Sequence, residues 1–253
     1  MYIKGGFVKK ILISLAIFIM IGFAADYEKT FDVEEGTEIK IYNPNGGVTV
    51  SVWEENYIKF EATLSGLVPV KIPSMFNFDI QKGDPFIIGP EDIEEAEQVL
   101  IDYVVYIPEN TSLRHVESLN GPIAITGTKG DITVYTANGE IEVEDVMGSI
   151  ELETGRGDIT VADSKNAISL DTGLGDIYVE VYSVAREDIS FNTGKGDIEI
   201  YVDQELEADF SMRTGMGKVK VHDITLESGK MNGGGDLIKA YTGMGNIDLY
   251  PID

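Results

Sequence analysis

Asp158, Asp176 and Asp197 each close the same turn, Thr-Gly-x-Gly-Asp, in segments starting at Thr154, Thr172 and Thr193, and they recur at separations of 18 and then 21 residues. Carboxylates repeated at one corner of stacked strands repel one another at strand spacing. A calcium ion between successive turns would relieve that repulsion, so the three aspartates are a candidate calcium ladder and calcium is the candidate cofactor. Two features weigh against it. Calcium-binding β-rolls place a residue between glycine and aspartate, whereas here aspartate follows glycine directly. The ladder also decays, to Lys218 and to Asn246 in the later copies of the turn. The preferred reading is structural: each aspartate accepts hydrogen bonds from the amides of its own turn and faces water.

Other chemistry is sparse. Arg156-Gly157-Asp158 spells an integrin-recognition tripeptide, but the arginine fills a freely varying slot that elsewhere holds Leu174, Lys195, Met216 and Met244, so the match is an accident of the repeat. His115 and His222 are far apart and lack metal-ligand spacing. No Ser-His-Asp arrangement or zinc-protease motif is present, and Gly-x-Gly-Asp without a following helix is no phosphate cradle. No catalytic residue is assigned, and an enzyme is not expected. Trp53 and the outward-parity tyrosines Tyr135, Tyr178 and Tyr201 are the candidates for contact with a partner, because rings on a solvated sheet face stack on sugars or proteins. Cross-strand stacking of the rings among themselves is the competing reading.

The elements that position these groups follow a nine-residue period. Ile123, Ile132, Ile141, Ile150, Ile159, Ile168 and Ile177 are evenly spaced, most of them preceded by a glycine-containing turn. In Ile150–Thr154 the apolar residues and the threonine share one face and glutamates share the other, which gives a strand with a dry and a wet side. Two such strands make one coil of about 18–21 residues. Extra residues collect near 184–188, 204–209 and 227–235, so one corner is strict and the opposite one permissive. The expected fold is all-β: a parallel β-solenoid, right-handed because parallel crossovers are, with a β-sandwich as the runner-up. Thr154, Thr172, Thr193 and Thr214 share the inward parity, so their hydroxyls should bond turn backbone at the edge of the core.

The same device runs in looser form from Phe31 to Ile58, with turns at Glu35-Gly36 and Asn43–Gly47. Between Ser65 and Leu100 the rhythm stops at Pro69, Pro73, Pro85 and Pro90, and Glu91–Leu100 has the composition of a short acidic helix. This insertion at 65–100 is expected to be a surface excursion in preference to a cap over the first coils.

Residues 1–25 carry Lys4, Lys9 and Lys10 ahead of an apolar run from Ile11 to Ala25, the layout of a secretory signal peptide, with a retained N-terminal membrane anchor as the rival. Residues 26–253 would then be a single exported domain, secreted or at the cell surface. The chain has no cysteine, so disulfides, thiolate metal sites and cysteine lipidation are excluded. Its formal net charge is −25, which excludes nucleic acid as a partner and keeps a long β-structure soluble.

Asn43-Pro-Asn-Gly-Gly-Val-Thr-Val-Ser-Val-Trp53, Asp102-Tyr-Val-Val-Tyr-Ile-Pro-Glu-Asn-Thr-Ser-Leu113, Asn120-Gly-Pro-Ile123 and the Thr-Gly-x-Gly-Asp-Ile turns together resemble the β-strand-repeat family of bacterial and archaeal envelope proteins known as "putative adhesins", a domain of unknown function. The resemblance covers nearly all of residues 26–253. It implies a secreted or membrane-tethered solenoid and supplies no catalytic residues. The combined expectation is a non-catalytic structural or adhesin-like interaction module of the cell envelope, meeting an envelope protein or glycan. The alternative is a calcium-dependent carbohydrate-binding or polysaccharide-active β-helix protein.

Overall fold

In the computed structural model, residues 26–64, 77–164, 166–184 and 189–252 are described. The expected signal or anchor at 1–25 lies outside them, as does the first part of the 65–100 insertion. Alternation of apolar and polar side chains makes strands almost wherever it occurs. The N-terminal part contributes β1 (Tyr27–Asp32), β2 (Glu38–Asn45), β3 (Val48–Trp53) and β4 (Tyr57–Leu64). Then come β5 (Phe78–Gln81), β6 (Phe86–Pro90), the single helical turn α1 (Ile93–Ala96) and β7 (Ile101–Pro108). The regular array runs in pairs: β8 (Ser112–Asn120) with β9 (Ile123–Thr126), β10 (Ile132–Asn138) with β11 (Ile141–Glu144), and β12 (Ser149–Arg156) with β13 (Ile159–Ala162). It continues with β14 (Asn166–Leu174) and β15 (Ile177–Val181), then β16 (Ile189–Lys195) and β17 (Ile198–Val202). The last strands are β18 (Ala208–Met216), β19 (Val219–Val221), β20 (Lys230–Met231), β21 (Asp236–Met244) and β22 (Ile247–Pro251).

These strands form two 11-stranded sheets, ordered β1-β4-β7-β3-β9-β11-β13-β15-β17-β22-β19 and β20-β18-β21-β16-β14-β12-β10-β8-β2-β6-β5. Pairing along the array is parallel, so the fold is a two-sheet all-β solenoid and the sandwich alternative, built from antiparallel pairs, does not apply. The nine-residue period alternates between the sheets. Ile123, Ile141, Ile159, Ile177, Ile198 and Ile247 lie side by side in the first. Val116, Val134, Leu152, Leu170, Phe191 and Ala240 form the facing column of the second. All are buried, and each large apolar side chain contributes roughly 1.5–3 kcal/mol from removal of its surface from water. Ile168 breaks the pattern at the backbone: Ile150 pairs with Ala167 and Glu151 with Ser169, so the register passes over it.

The stack does not follow chain order at its ends. The C-terminal coil β21–β22 is inserted between β16–β17 and the earlier coil β18–β19, which becomes the outermost. At the N-terminal end β7 slots between β3 and β4, and β6 pairs with the far side of β2. Antiparallel strands finish these ends: β4 on β7, β1 on β4, β5 on β6 and β20 on β18. The surface-excursion expectation therefore fails for the described part of the insertion. Phe86 and Ile88 of β6 are fully buried and β6 closes the core, with only α1 matching the acidic helix read from the sequence.

Candidate functional site

The strict corner is built from three residues per coil. Each threonine hydroxyl donates to a glycine carbonyl of the neighbouring coil: Thr154 to Gly139 and Thr172 to Gly157 at 2.9 Å, Thr193 to Gly175, Thr242 to Gly196 and Thr214 to Gly245 at 2.8 Å. The second glycine of the turn is required by close approach. A Cβ on Gly196, whose φ is +155°, would sit 1.9 Å from the Gly175 carbonyl oxygen. The aspartates complete the clip. Asp158 Oδ1 accepts the Asp176 amide and Asp176 Oδ1 accepts the Asp197 amide, both at 2.7 Å. Asp197 Oδ1 accepts the Asn246 amide at 2.6 Å, and Asn246 Oδ1 accepts that of Lys218 at 3.1 Å.

Asp158, Asp176 and Asp197 thus do stack, but each accepts from the next coil's amide and not from its own turn. Each carboxylate is thereby supplied with a backbone N–H donor from the neighbouring coil. Among the described residues no group of three or more His, Asp or Glu side chains is arranged to hold a metal ion.

The four aromatic candidates fall into three places. Trp53 lies on the outward face of the first sheet, stacked on Tyr106 at 5.2 Å between centroids and edge-on to Tyr57 at 4.8 Å, with Nε1 donating to the Tyr57 carbonyl at 2.9 Å. It borders a shallow recess of about 490 Å³ that also touches Glu54, Glu109, Lys129 and Met147. Tyr178 and Tyr201 lie on the same face, four strands or more away, about 19 Å at ordinary strand spacing. Tyr135 is on β10, in the other sheet, so parity grouped it with residues it never meets.

Tyr178 and Tyr201 belong to a longer band. Their rings are 4.9 Å apart, Tyr201 stacks on Tyr250 at 4.9 Å, and Tyr250 stacks on His222 at 4.3 Å with planes 9° apart. The ring faces are turned to one another and their rims to solvent. Tyr178 and Tyr182 both donate to the Glu180 carboxylate at 2.9 Å, and Tyr201 bonds Glu199 at 3.4 Å. Burial first, then the adjacent carboxylates, hold the Tyr178 and Tyr182 phenols well above their ordinary range and push Tyr201 up to about 12. At the end of the band Asp248, only 12% exposed at its side chain, meets His222 Nε2 at 2.6 Å and Lys220 Nζ at 3.2 Å. Tyr250 and Asp248 were not singled out in the sequence and His222 was weighed there only as a metal ligand, although Tyr201 and Tyr250 stand three residues past Ile198 and Ile247, and His222 three past Val219, which pairs with Ile247.

A second concavity, about 300 Å³, opens on the outward face of the other sheet between Tyr42, Ile87, Ile93, Leu119, Asp79 and Glu117. No helix among the described residues is long and apolar enough to cross a membrane.

No curated protein matches the chain. Among solved structures, a "putative cell adhesion protein" from Clostridium sporogenes is 14% identical, with 89% of this chain and 99% of that one covered at a TM-score of 0.41. A "putative adhesin" from Bacteroides fragilis is also 14% identical, with 89% and 96% covered at 0.45, and another from Parabacteroides merdae is 12% identical, with 90% and 96% covered at 0.35. The family model described as toastrack DUF4097 matches residues 110–232, the stretch that contains most of the regular coils and their glycine-threonine-aspartate corner. Residues 110–232 are thus similar to the toastrack DUF4097 family.

Proposed function

We propose that the protein is an exported, non-catalytic interaction module of the cell envelope. Its contact surface is the outward face of the first sheet, where Tyr178, Tyr201 and Tyr250 meet the partner with their rims, and its partner is an envelope protein or glycan. The observation that carries this reading is the continuous band from Tyr178 to His222, in which stacking and the Glu180 and Glu199 carboxylates hold the rings. Rigid amphipathic rings give contact area at little entropic cost. Trp53 is a second contact on the same face, and Tyr135 would serve only a partner that also reaches the other sheet. The charged-then-apolar layout of residues 1–25 supports export. The test is co-sedimentation of the full chain with isolated envelope material. Replacing Tyr178 and Tyr201 by Ser is expected to weaken binding at least about tenfold, as loss of two central aromatic contacts does. Unchanged binding by a variant with a native circular dichroism spectrum would remove this face from the reading.

A further inference from the structure

The edge strands at the two ends of the first sheet carry opposite charge on their outward sides, Glu28 and Asp32 on β1 against Lys218 and Lys220 at β19. In sequence, residues 26–109 hold 18 acidic against five basic side chains. The outermost coil at the other end, residues 208–221, holds Asp209 against Arg213, Lys218 and Lys220, a local positive excess in a chain of net charge −25. That coil also leaves the core open. Among the described residues no strand lies beyond β19 in the first sheet, and Val219 and Val221, which pair with Ile247 and Leu249 and so share their inward parity, are 40% and 39% exposed. Lys218 and Lys220 alternate with them on the outward side.

At the opposite end of the same sheet the edge strand among the described residues is β1. Because β1 is antiparallel to β4 and β4 is antiparallel to β7, β1 runs in the direction of the stack, as β19 does. A second copy displaced along the stack would therefore present β1 to β19 as one more parallel strand. The outward residues of β1 are Glu28, Thr30 and Asp32, and those continuing along β19 are Lys218, Lys220 and His222, with identical spacing. Lys218 then faces Glu28, while Val219 and Val221 meet the inward side of β1. Lys29, the inward-parity cation there, is turned over the Phe31 ring, 5.6 Å from its centroid.

We propose that the protein associates head to tail with a second copy of itself, the β19 edge of one chain pairing with the β1 edge of the next. Pairing two C-terminal ends would set lysines against lysines, which like-charge repulsion disfavours. A heterologous contact satisfies both the open edge and the charge.

Sedimentation velocity of the full chain over a concentration series, at low and high salt, tests this independently of envelope binding. The wild-type chain is expected to form larger species as concentration rises, dispersed by salt. Lys218→Glu leaves the Lys220–Asp248 pair in place and is expected to weaken association about tenfold, as is Glu28→Lys, since each turns an attraction into a repulsion. The double variant Glu28→Lys/Lys218→Glu, which exchanges the two charges, should regain it. Val219→Lys should abolish it by placing a charge at an inward position of the edge. A wild-type chain that stays monomeric at every concentration would show that Lys218 and Lys220 merely guard the edge and would overturn the proposal. So would single variants that associate as the wild type does, or a double variant that fails to recover.

Discussion

Asn246 lies directly on Asp197, its amide donating to the Asp197 carboxylate at 2.6 Å across 49 residues of chain, while Lys218, much nearer in sequence, sits one coil further out on Asn246. The chain leaves the stack after β17, lays down β18 and β19, and returns to fill the gap with β21 and β22. Removal of residues 236–253 should therefore cost two coils, because β18 and β19 lose the strands they pair with. Limited proteolysis is expected to cut within 208–221 faster in the truncated chain than in the intact protein. Protection of 208–221 in the truncated chain would show that the coil can dock on β16–β17 by itself.

The glycine corner sets the tightest steric demand. Gly196→Ala drives a methyl group against the Gly175 carbonyl oxygen at 1.9 Å, and backbone must move. The expected loss is about 4 kcal/mol, seen as a fall in Tm of roughly 10 °C. Leu174→Ala, in the variable slot of the neighbouring coil's turn and 45% exposed, should change Tm by no more than about 1 °C.

The aspartate ladder separates hydrogen bonding from charge. Asp176→Ala leaves the Asp197 amide without its acceptor and should cost about 1–2 kcal/mol in urea unfolding. Asp176→Asn keeps an acceptor oxygen, as Asn246 does natively for the Lys218 amide, and should cost less than about 0.5 kcal/mol. Millimolar calcium is expected to leave the Tm of the wild-type chain unchanged. A calcium-dependent rise that Asp176→Asn abolishes would reinstate the cation ladder.

Stability should fall in alkali. Tyr201 has a phenol raised from its ordinary value of 10.0 to about 12 by burial and by Glu199, so the folded state holds that proton more tightly than the unfolded chain does. Its contribution is fully present below about pH 10 and is lost as the pH climbs toward about 12. Tyr178, Tyr182 and Tyr250 are shifted in the same direction. Tyr201→Phe retains the stacked ring without the titrating group, and its Tm should decline less steeply over that range than the wild type's. Phenolate absorbance followed in parallel should show delayed ionisation in the folded protein.

The core and the strict corner were legible because each rests on a local repeat. Isoleucine spacing set the coil length, and the parity of Thr154, Thr172, Thr193 and Thr214 put their hydroxyls at the edge of the core. Coil order was not legible, since Thr214 and Thr242 carry the same turn whichever of them is outermost. One physical hint was there: lysine has no acceptor, so Lys218 can end the aspartate ladder but cannot extend it, whereas Asn246 can do both. Tyr135 was misplaced for a related reason. Parity tells inward from outward, but Ile132, on which Tyr135 depends, belongs to the half of each coil opposite Ile177 and Ile198. The end strands escaped notice because β1 and β4 alternate as array strands do, and nothing in alternation distinguishes a parallel from an antiparallel neighbour.

The interleaved end also governs when the protein can be finished. A solenoid laid down in chain order can compact behind the ribosome one coil at a time, as the stretch from β8 to β17 is arranged to do. Residues 208–221, by contrast, have no docking site until residues 236–251 have emerged and taken the place between. A nascent chain stalled before residues 236–251 have emerged would expose Ile198 and Ile200 of β17 beside an unplaced coil.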